Sequence, residues 1–364
     1  MPQDPVRPLT TVRLELHRPE EPANTPVAAN LSVAELVGRT LFVASDEGAR
    51  IERLVTRDGT VYGEHTSFAL ADAFDLPGGP EGEADIEGVS ADSGWLWVVG
   101  SHSLARRKPK PGLESDAESL DKLTAVRLDP NRYLLGRIPL VETEGVLELA
   151  AGDGRRQAGC LRMGRRHNAL YQALRNDEHI GRFLEVPAKE NGFDVEGLAA
   201  RGDRVFLGLR GPVLRGWACI LELHVETRGK GRRLRLGKLG PDGARYRKHF
   251  LDLDGLGIRE LAFDGDDLLI LAGPTMDLDG PVAVHRWRGV LEAFEGQIVP
   301  RGDLSLELRL PYGDGRDHAE GITRLDRPGA SPLLLVVYDS PDKETRLLDN
   351  GRTVIADLFE LPRR

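Results

Sequence analysis

A chain of 364 residues with a formal charge of −9 offers no basic face for a nucleic acid. Its 40% apolar content is enough for a core, but the apolar runs are far too short to span a membrane. Cys160 and Cys219 make neither a disulfide framework nor a zinc site, and residues 1–20 carry no apolar signal-type run, so the expected compartment is the cytoplasm.

Residues 1–25 read as a Pro-rich lead-in with one alternating strand, Thr11 to Leu16. Residues 26–364 read as a single domain made of recurring units. The first has strands near Ala28–Ser32, Thr40–Ser45 and Arg50–Val55, and closes over Ser67–Leu76. The second runs through Ile86–Ser90, Trp95–Val99, Leu123–Leu128 and Tyr133–Val141. Between its second and third strands, Leu104 to Leu120 carries blocks of opposite charge and is expected to be an exposed, mobile loop. Residues 142–183 break the pattern. Leu170, Ala173 and Leu174 are spaced as on a short amphipathic helix, so a helical insertion is expected there. The third unit has strands at Val205–Leu209, Cys219–Val225 and Lys248–Leu253. The fourth has them at Leu268–Leu271, Val282–Trp287 and Leu304–Leu310, and the fifth at Leu333–Tyr338, Glu344–Leu348 and Val354–Leu361.

The units share an acidic opening. Asp85-Ile86-Glu87-Gly88 returns as Asp194-Val195-Glu196-Gly197, as Ile258-Arg259-Glu260-Leu261 and as His318-Ala319-Glu320-Gly321. The first unit lacks the acid, with Leu31 aligned to Glu87. Units of three or four short strands repeated in this way predict an all-β propeller of four-stranded blades. Five blades are expected, or six if residues 142–187 form a degenerate one. The strand from Thr11 to Leu16 could close the ring.

Positions related by the propeller axis point at the same channel. Glu87, Glu196, Glu260 and Glu320 are therefore expected to converge at one mouth, with Asp85, Asp194 and His318 beside them. Clustered carboxylates need a cation, protons or hydrogen-bond donors. An oxygen-rich set suits a divalent cation such as calcium or magnesium. The competing reading is structural: each glutamate accepts backbone N–H groups of the next blade, and the glycine after it relieves crowding. Arg210 and Arg215, in a Gly/Pro-rich turn, are candidates for an anion. Asp277, Asp279 and His102 occupy comparable loops in other units. No nucleophile elbow, phosphate loop or dinucleotide fingerprint is present.

The runs Asn191–Leu198, Gly208–Trp217 and Leu271–Pro281 resemble a bacterial family catalogued only as domain of unknown function 3616. The resemblance covers most of the chain from about Asn30. It implies the fold and no established activity. More distantly, the Asp-x-Glu-Gly strand openings are similar to phytase-like esterase propellers, which implies that acidic residues can hold calcium. Leu31, Arg259 and Leu261 depart from that pattern. Two functions are carried forward. One is a platform with an acidic channel mouth that binds a small anionic ligand or a protein partner. The alternative is a divalent-metal-assisted hydrolase of a phosphorylated or otherwise anionic small molecule.

Overall fold

The computed structural model describes residues 4–16, 26–110, 112–228, 231–240, 243–276, 278–292 and 297–362. Among these, no helix is long and apolar enough to cross a membrane. After β1 (Thr10–Glu15) the strands group into five antiparallel runs. The first holds β2 (Leu31–Val37), β3 (Thr40–Ser45), β4 (Arg50–Thr56) and β5 (Val61–Ala69). The second holds β6 (Ile86–Asp92), β7 (Trp95–Gly100), an excursion, β10 (Leu135–Thr143), β11 (Val146–Leu149) and β12 (Gly159–Leu161). The excursion is a ribbon of β8 (Ala105–Arg106) and β9 (Val126–Arg127) with α1 (Asp116–Thr124) at its end. Then α2 (Ala169–Leu174) leads to the third run: β13 (Asp194–Arg201), β14 (Arg204–Leu214), β15 (Trp217–Arg228), β16 (Arg233–Leu236) and β17 (Arg247–Asp252). The fourth holds β18 (Gly257–Asp264), β19 (Asp267–Gly273), β20 (Val282–Trp287) and β21 (Leu304–Leu310). The fifth holds β22 (His318–Leu325), β23 (Leu333–Asp339), β24 (Leu347–Leu348) and β25 (Thr353–Glu360).

The first strand of each run is innermost, and β2, β6, β13, β18 and β22 neighbour one another in a closed cycle. Apolar side chains on both faces of each run fill five separate cores, each between two adjacent runs. Phe42 and Ile51 of the first run meet Ile86 and Val98 of the second; Leu271 of the fourth meets Val336 of the fifth. This is a β-propeller: radial packing buries the faces of the sheets against their neighbours and leaves only outer strands such as β21 as edges. The strand β1 pairs antiparallel with β25 as the outer strand of the fifth run. It also pairs in parallel with β5 of the first, so the chain's two ends meet in one sheet.

Three local expectations are corrected. The loop Leu104–Leu120 carries most of α1, whose capping box places Ser115 against the Glu118 backbone and the Glu118 side chain against Ser115 N–H. The segment is exposed as expected, with no buried residue in α1, but it is anchored: Arg106 is tied to Glu190 and Glu114 to Lys122, partners outside the two charge blocks. Residues 123–128 form the end of α1 and the two-residue β9, not a blade strand; the third strand of that run is β10. The stretch 142–183 holds β11 and β12 as well as α2, and both strands pair with β10.

Candidate functional site

In all five runs the pairing of the first two strands slips by one residue near the same end of the ring. The slip falls at Ser32, Glu87, Arg259 and Glu320; in run three it spans Glu196 and Gly197, with a second slip on the facing strand between the partners of Asp194 and Val195. These are the equivalent positions. Run four therefore presents Arg259 where its neighbours present glutamate, and run one presents Ser32, not Leu31.

The residue after the slip lies against the next run. A Cβ on Gly88 would fall 2.7 Å from Leu198 Cβ and 2.8 Å from its nitrogen; one on Gly321 would fall 2.8 Å from Ala34 N. Gly197 has φ +119°, and its Cβ would fall 3.0 Å from Glu260 Cα. Glycine is the residue that allows this approach. In run four the position belongs to Glu260, which lies in the joint rather than in the channel ring. Its Oε1 accepts from Leu198 N–H at 3.2 Å and from Leu261 N–H at 2.8 Å. Burial pushes its carboxyl well above the usual carboxylate range, against the pull of those N–H groups. Other joints use the same device. Glu35 accepts from Ala91 N–H (2.7 Å), Ser90 from Ala200 N–H (3.1 Å) and Thr323 from Leu36 N–H (3.0 Å).

The channel mouth gathers acids and arginines from several runs. Glu196 is gripped twice: Arg210 Nη1 donates to Oε1 at 2.8 Å, and Arg259 Nε lies 2.9 Å from Oε2. Arg259 also pairs with Glu320. Arg132, from the loop before β10, lies 3.0 Å from Asp85 and also pairs with Glu83. Burial opposes the charge on Arg210, but Glu196 and Asp194 hold its guanidinium above the ordinary range. For Arg259 burial wins, with Arg210 beside it, and its affinity for the proton is lowered.

The other wall is short of cations. Glu87 is half-buried and Asp194 is 3% exposed, and the carboxyl of neither makes a hydrogen bond or ion pair among the described residues. Burial first, and then Glu196 and the neighbouring aspartates, push the Glu87 carboxyl well above its usual range. Burial and Glu196 do the same to Asp194. Burial also raises Asp85 despite Arg132. Asp46, in the loop after β3, rises to about 7 through burial and the nearby Asp85 and Asp339. Among the described residues, no three His, Cys, Asp or Glu side chains are arranged to hold a metal ion.

Beside the ring, a cavity of about 340 Å³ opens between runs four and five. Arg210, Arg259, Glu320, His318 and Asp279 line it, as do Lys108 from the β8–β9 excursion and Lys189. His318 Nε2 lies 2.9 Å from Asp279 Oδ1, and Asp339 and Asp279 together raise the imidazole's affinity for a proton. Met276, Leu278 and Tyr312 form an apolar and substantially exposed rim.

The remaining candidates lie elsewhere. His102 is buried, and burial lowers it to about 4. Its Nδ1 meets Gly100 O at 2.8 Å and its Nε2 meets the Asn168 amide at 2.7 Å, so it secures the N-cap of α2. Arg215 is exposed in the turn between β14 and β15, with φ 49°, away from the cavity. Asp277 lies outside the described residues. Sequence reasoning missed Arg132, Lys108 and Lys189 as site residues, whereas Asp46, which follows Ser45 as His102 follows Ser101, is placed near the mouth by the repeat itself.

Among curated proteins none matches the chain. Among solved structures it is similar to Myxococcus xanthus glutaminyl cyclase, at TM-score 0.37 and 11% identity over 98% of this chain and 100% of that one. It is also similar to streptogramin B lyase, at 0.35 and 8% over 97% and 98%. A third is the PQQ-bound aldose sugar dehydrogenase of Streptomyces coelicolor, at 0.37 and 14% over 99% and 100%. Likenesses of this degree carry no argument about the site or its chemistry. The chain belongs to the family described as Protein of unknown function (DUF3616), which matches residues 30–357.

Proposed function

We propose that the protein is a ligand-binding propeller that receives a small molecule with an anionic group at the channel mouth. One observation carries this reading. In a chain of net charge −9, the cavity gathers Arg210, Arg259, Lys108, Lys189 and His318 against Asp279, Glu320 and Asp339. These cations come from three runs, the β8–β9 excursion and the turn before β13, and the volume lies at the small end of ligand pockets, roughly 300–1,000 Å³. Met276, Leu278 and Tyr312 would cover a hydrocarbon portion, while the guanidinium groups orient a carboxylate or phosphate. Metal-assisted hydrolysis is the less supported reading, because Glu196 and Glu320, two of its candidate ligands, already engage arginines. The test is thermal unfolding with butyrate and with inorganic phosphate at constant ionic strength. A ligand of the native state alone raises Tm by mass action. At least one anion should raise Tm, and Lys189→Gln together with Arg259→Gln should abolish the rise. No shift with either anion would overturn the proposal.

A further inference from the structure

Resting on that ligand-binding reading, we infer that the opposite wall of the mouth, formed by Asp46, Asp85, Glu87 and Asp194, takes an organic cation: a primary ammonium or guanidinium group carried by the ligand.

The charge pattern of the mouth leads there. Apart from Asp85, this wall has no arginine bonded to it. Arg132 serves Asp85 and Glu83, Arg210 serves Glu196, and Arg259 bridges Glu196 and Glu320. That leaves three carboxyl groups without a protein cation bonded to them. Asp194 is 3% exposed and accepts no hydrogen bond among the described residues. Glu87 is half-buried and likewise accepts none. Asp46 Oδ1 is sealed from solvent with no donor. Buried polar groups are ordinarily satisfied, and a buried carboxylate without a partner is costly. Backbone hydrogen bonds set these segments side by side: Gly48 O accepts from Ala84 N–H at 2.8 Å, Asp85 O from Ser101 N–H at 3.0 Å and Ser101 O from Val195 N–H at 2.8 Å, so the four acids stand at one end of runs one to three. A group that brings positive charge and several N–H donors relieves the whole set at once.

The donor geometry selects an organic cation over a metal ion. A metal needs several oxygens on one centre, and among the described residues no three acidic or imidazole side chains converge in that way. An ammonium carries three rotatable donors and a guanidinium five in a planar fork, so either can serve carboxyl groups spread around a wall. Arg210 and Arg259 line the cavity and also feel the charges of Asp194 and Glu87, so the cationic and acidic walls adjoin. A ligand with both charges would bridge them.

The experiment is thermal unfolding of the full chain at one pH and ionic strength with butylammonium, butyrate or calcium chloride as separate probes. Asp194→Asn and Glu87→Gln are run alongside wild type. Glu87→Gln is the safeguard, because Glu87 has no hydrogen bond to lose. The expected result is a Tm rise with butylammonium and at least a tenfold loss of its apparent affinity in each variant, while the response to butyrate is kept. A response to butyrate with none to butylammonium would overturn this inference and leave the proposed function standing. A response to calcium that the variants abolish, with butylammonium silent, would also overturn it in favour of a metal. Silence with butylammonium and with butyrate here, together with silence of inorganic phosphate in the test of the proposed function, would overturn the two readings together.

Discussion

Replacing Glu260 by Gln and by Ala separates the shape of this side chain from its charge. The group is 1% exposed; Oε1 accepts from two backbone N–H groups and Oε2 meets no donor. Because burial holds its carboxyl well above the usual range, the folded protein keeps a proton here that the unfolded chain, near 4.5, releases. Its folded-state pKa is raised, so the stability it confers is complete below about pH 4.5 and is lost as pH rises through the folded value. For one proton the slope is at most about 1.4 kcal/mol per pH unit. A glutamine amide has the shape of the neutral carboxyl and keeps the accepting oxygen. Glu260→Gln should therefore be within about 1 kcal/mol of wild type at acid pH and gain on it as pH rises. Glu260→Ala strands the N–H groups of Leu198 and Leu261, at about 1–3 kcal/mol each, and should cost about 2–6 kcal/mol at every pH. Urea unfolding at about pH 5 and pH 8 measures both. If the Gln variant lost more than about 2 kcal/mol at each pH, the joint would depend on an ionised carboxylate and the reasoning would fail.

Three further outcomes follow from the same geometry. Gly88→Ala drives a Cβ into the Leu198 backbone and should destabilise by about 1–3 kcal/mol; an unchanged urea midpoint would show that runs two and three separate easily. Glu196→Gln weakens the grip on two buried guanidinium groups and should cost about 3–5 kcal/mol equally in calcium and in chelator; a loss seen only in calcium would mean that Glu196 serves a metal. Asn168→Ala removes the cap of α2 and the hydrogen bonds to His102 and Tyr133 O, costing about 2–4 kcal/mol; limited proteolysis should then cut first within residues 162–180, and a cut elsewhere would count against the lock.

Much of the architecture was legible because a propeller repeats its instructions. The apolar runs Val205–Leu209, Leu268–Leu271 and Leu333–Tyr338 fall on β14, β19 and β23, and the acidic openings mark β6, β13, β18 and β22. The site was less legible, for a specific reason. Matching letters aligned Glu260 with Glu87 and Glu196, whereas the strand pairing slips at Arg259. One position decides whether a side chain faces the channel or the joint, since alternate residues on a strand point to opposite faces. The structural reading of the repeated glutamate holds for Glu260, while Glu196 and Glu320 are bound to arginine at the mouth. The strand β12 has three residues, too few for any period to show. The helix α1 did announce itself through Ser115 and Glu118, but its charges suggested a loop. Arg132, Lys108 and Lys189 come from segments outside the repeat, so symmetry could not find them.

The pairing of β1 with β25 also governs how the chain is made. Thr10–Glu15 leaves the ribosome long before Thr353–Glu360 exists, so its final neighbour is missing through nearly all of synthesis. Contacts this distant along the chain are slow to form. Until then the nascent protein is an open arc. The flank of β5 lacks its parallel neighbour, and Val12 and Leu14 await the core they share with Leu335 and Val337. Both ends of the arc are unfinished sheets of the kind that recruit other chains. Closure is then a race between one intramolecular latch and self-association, so crowded expression and slow translation of the final run bear most heavily on yield.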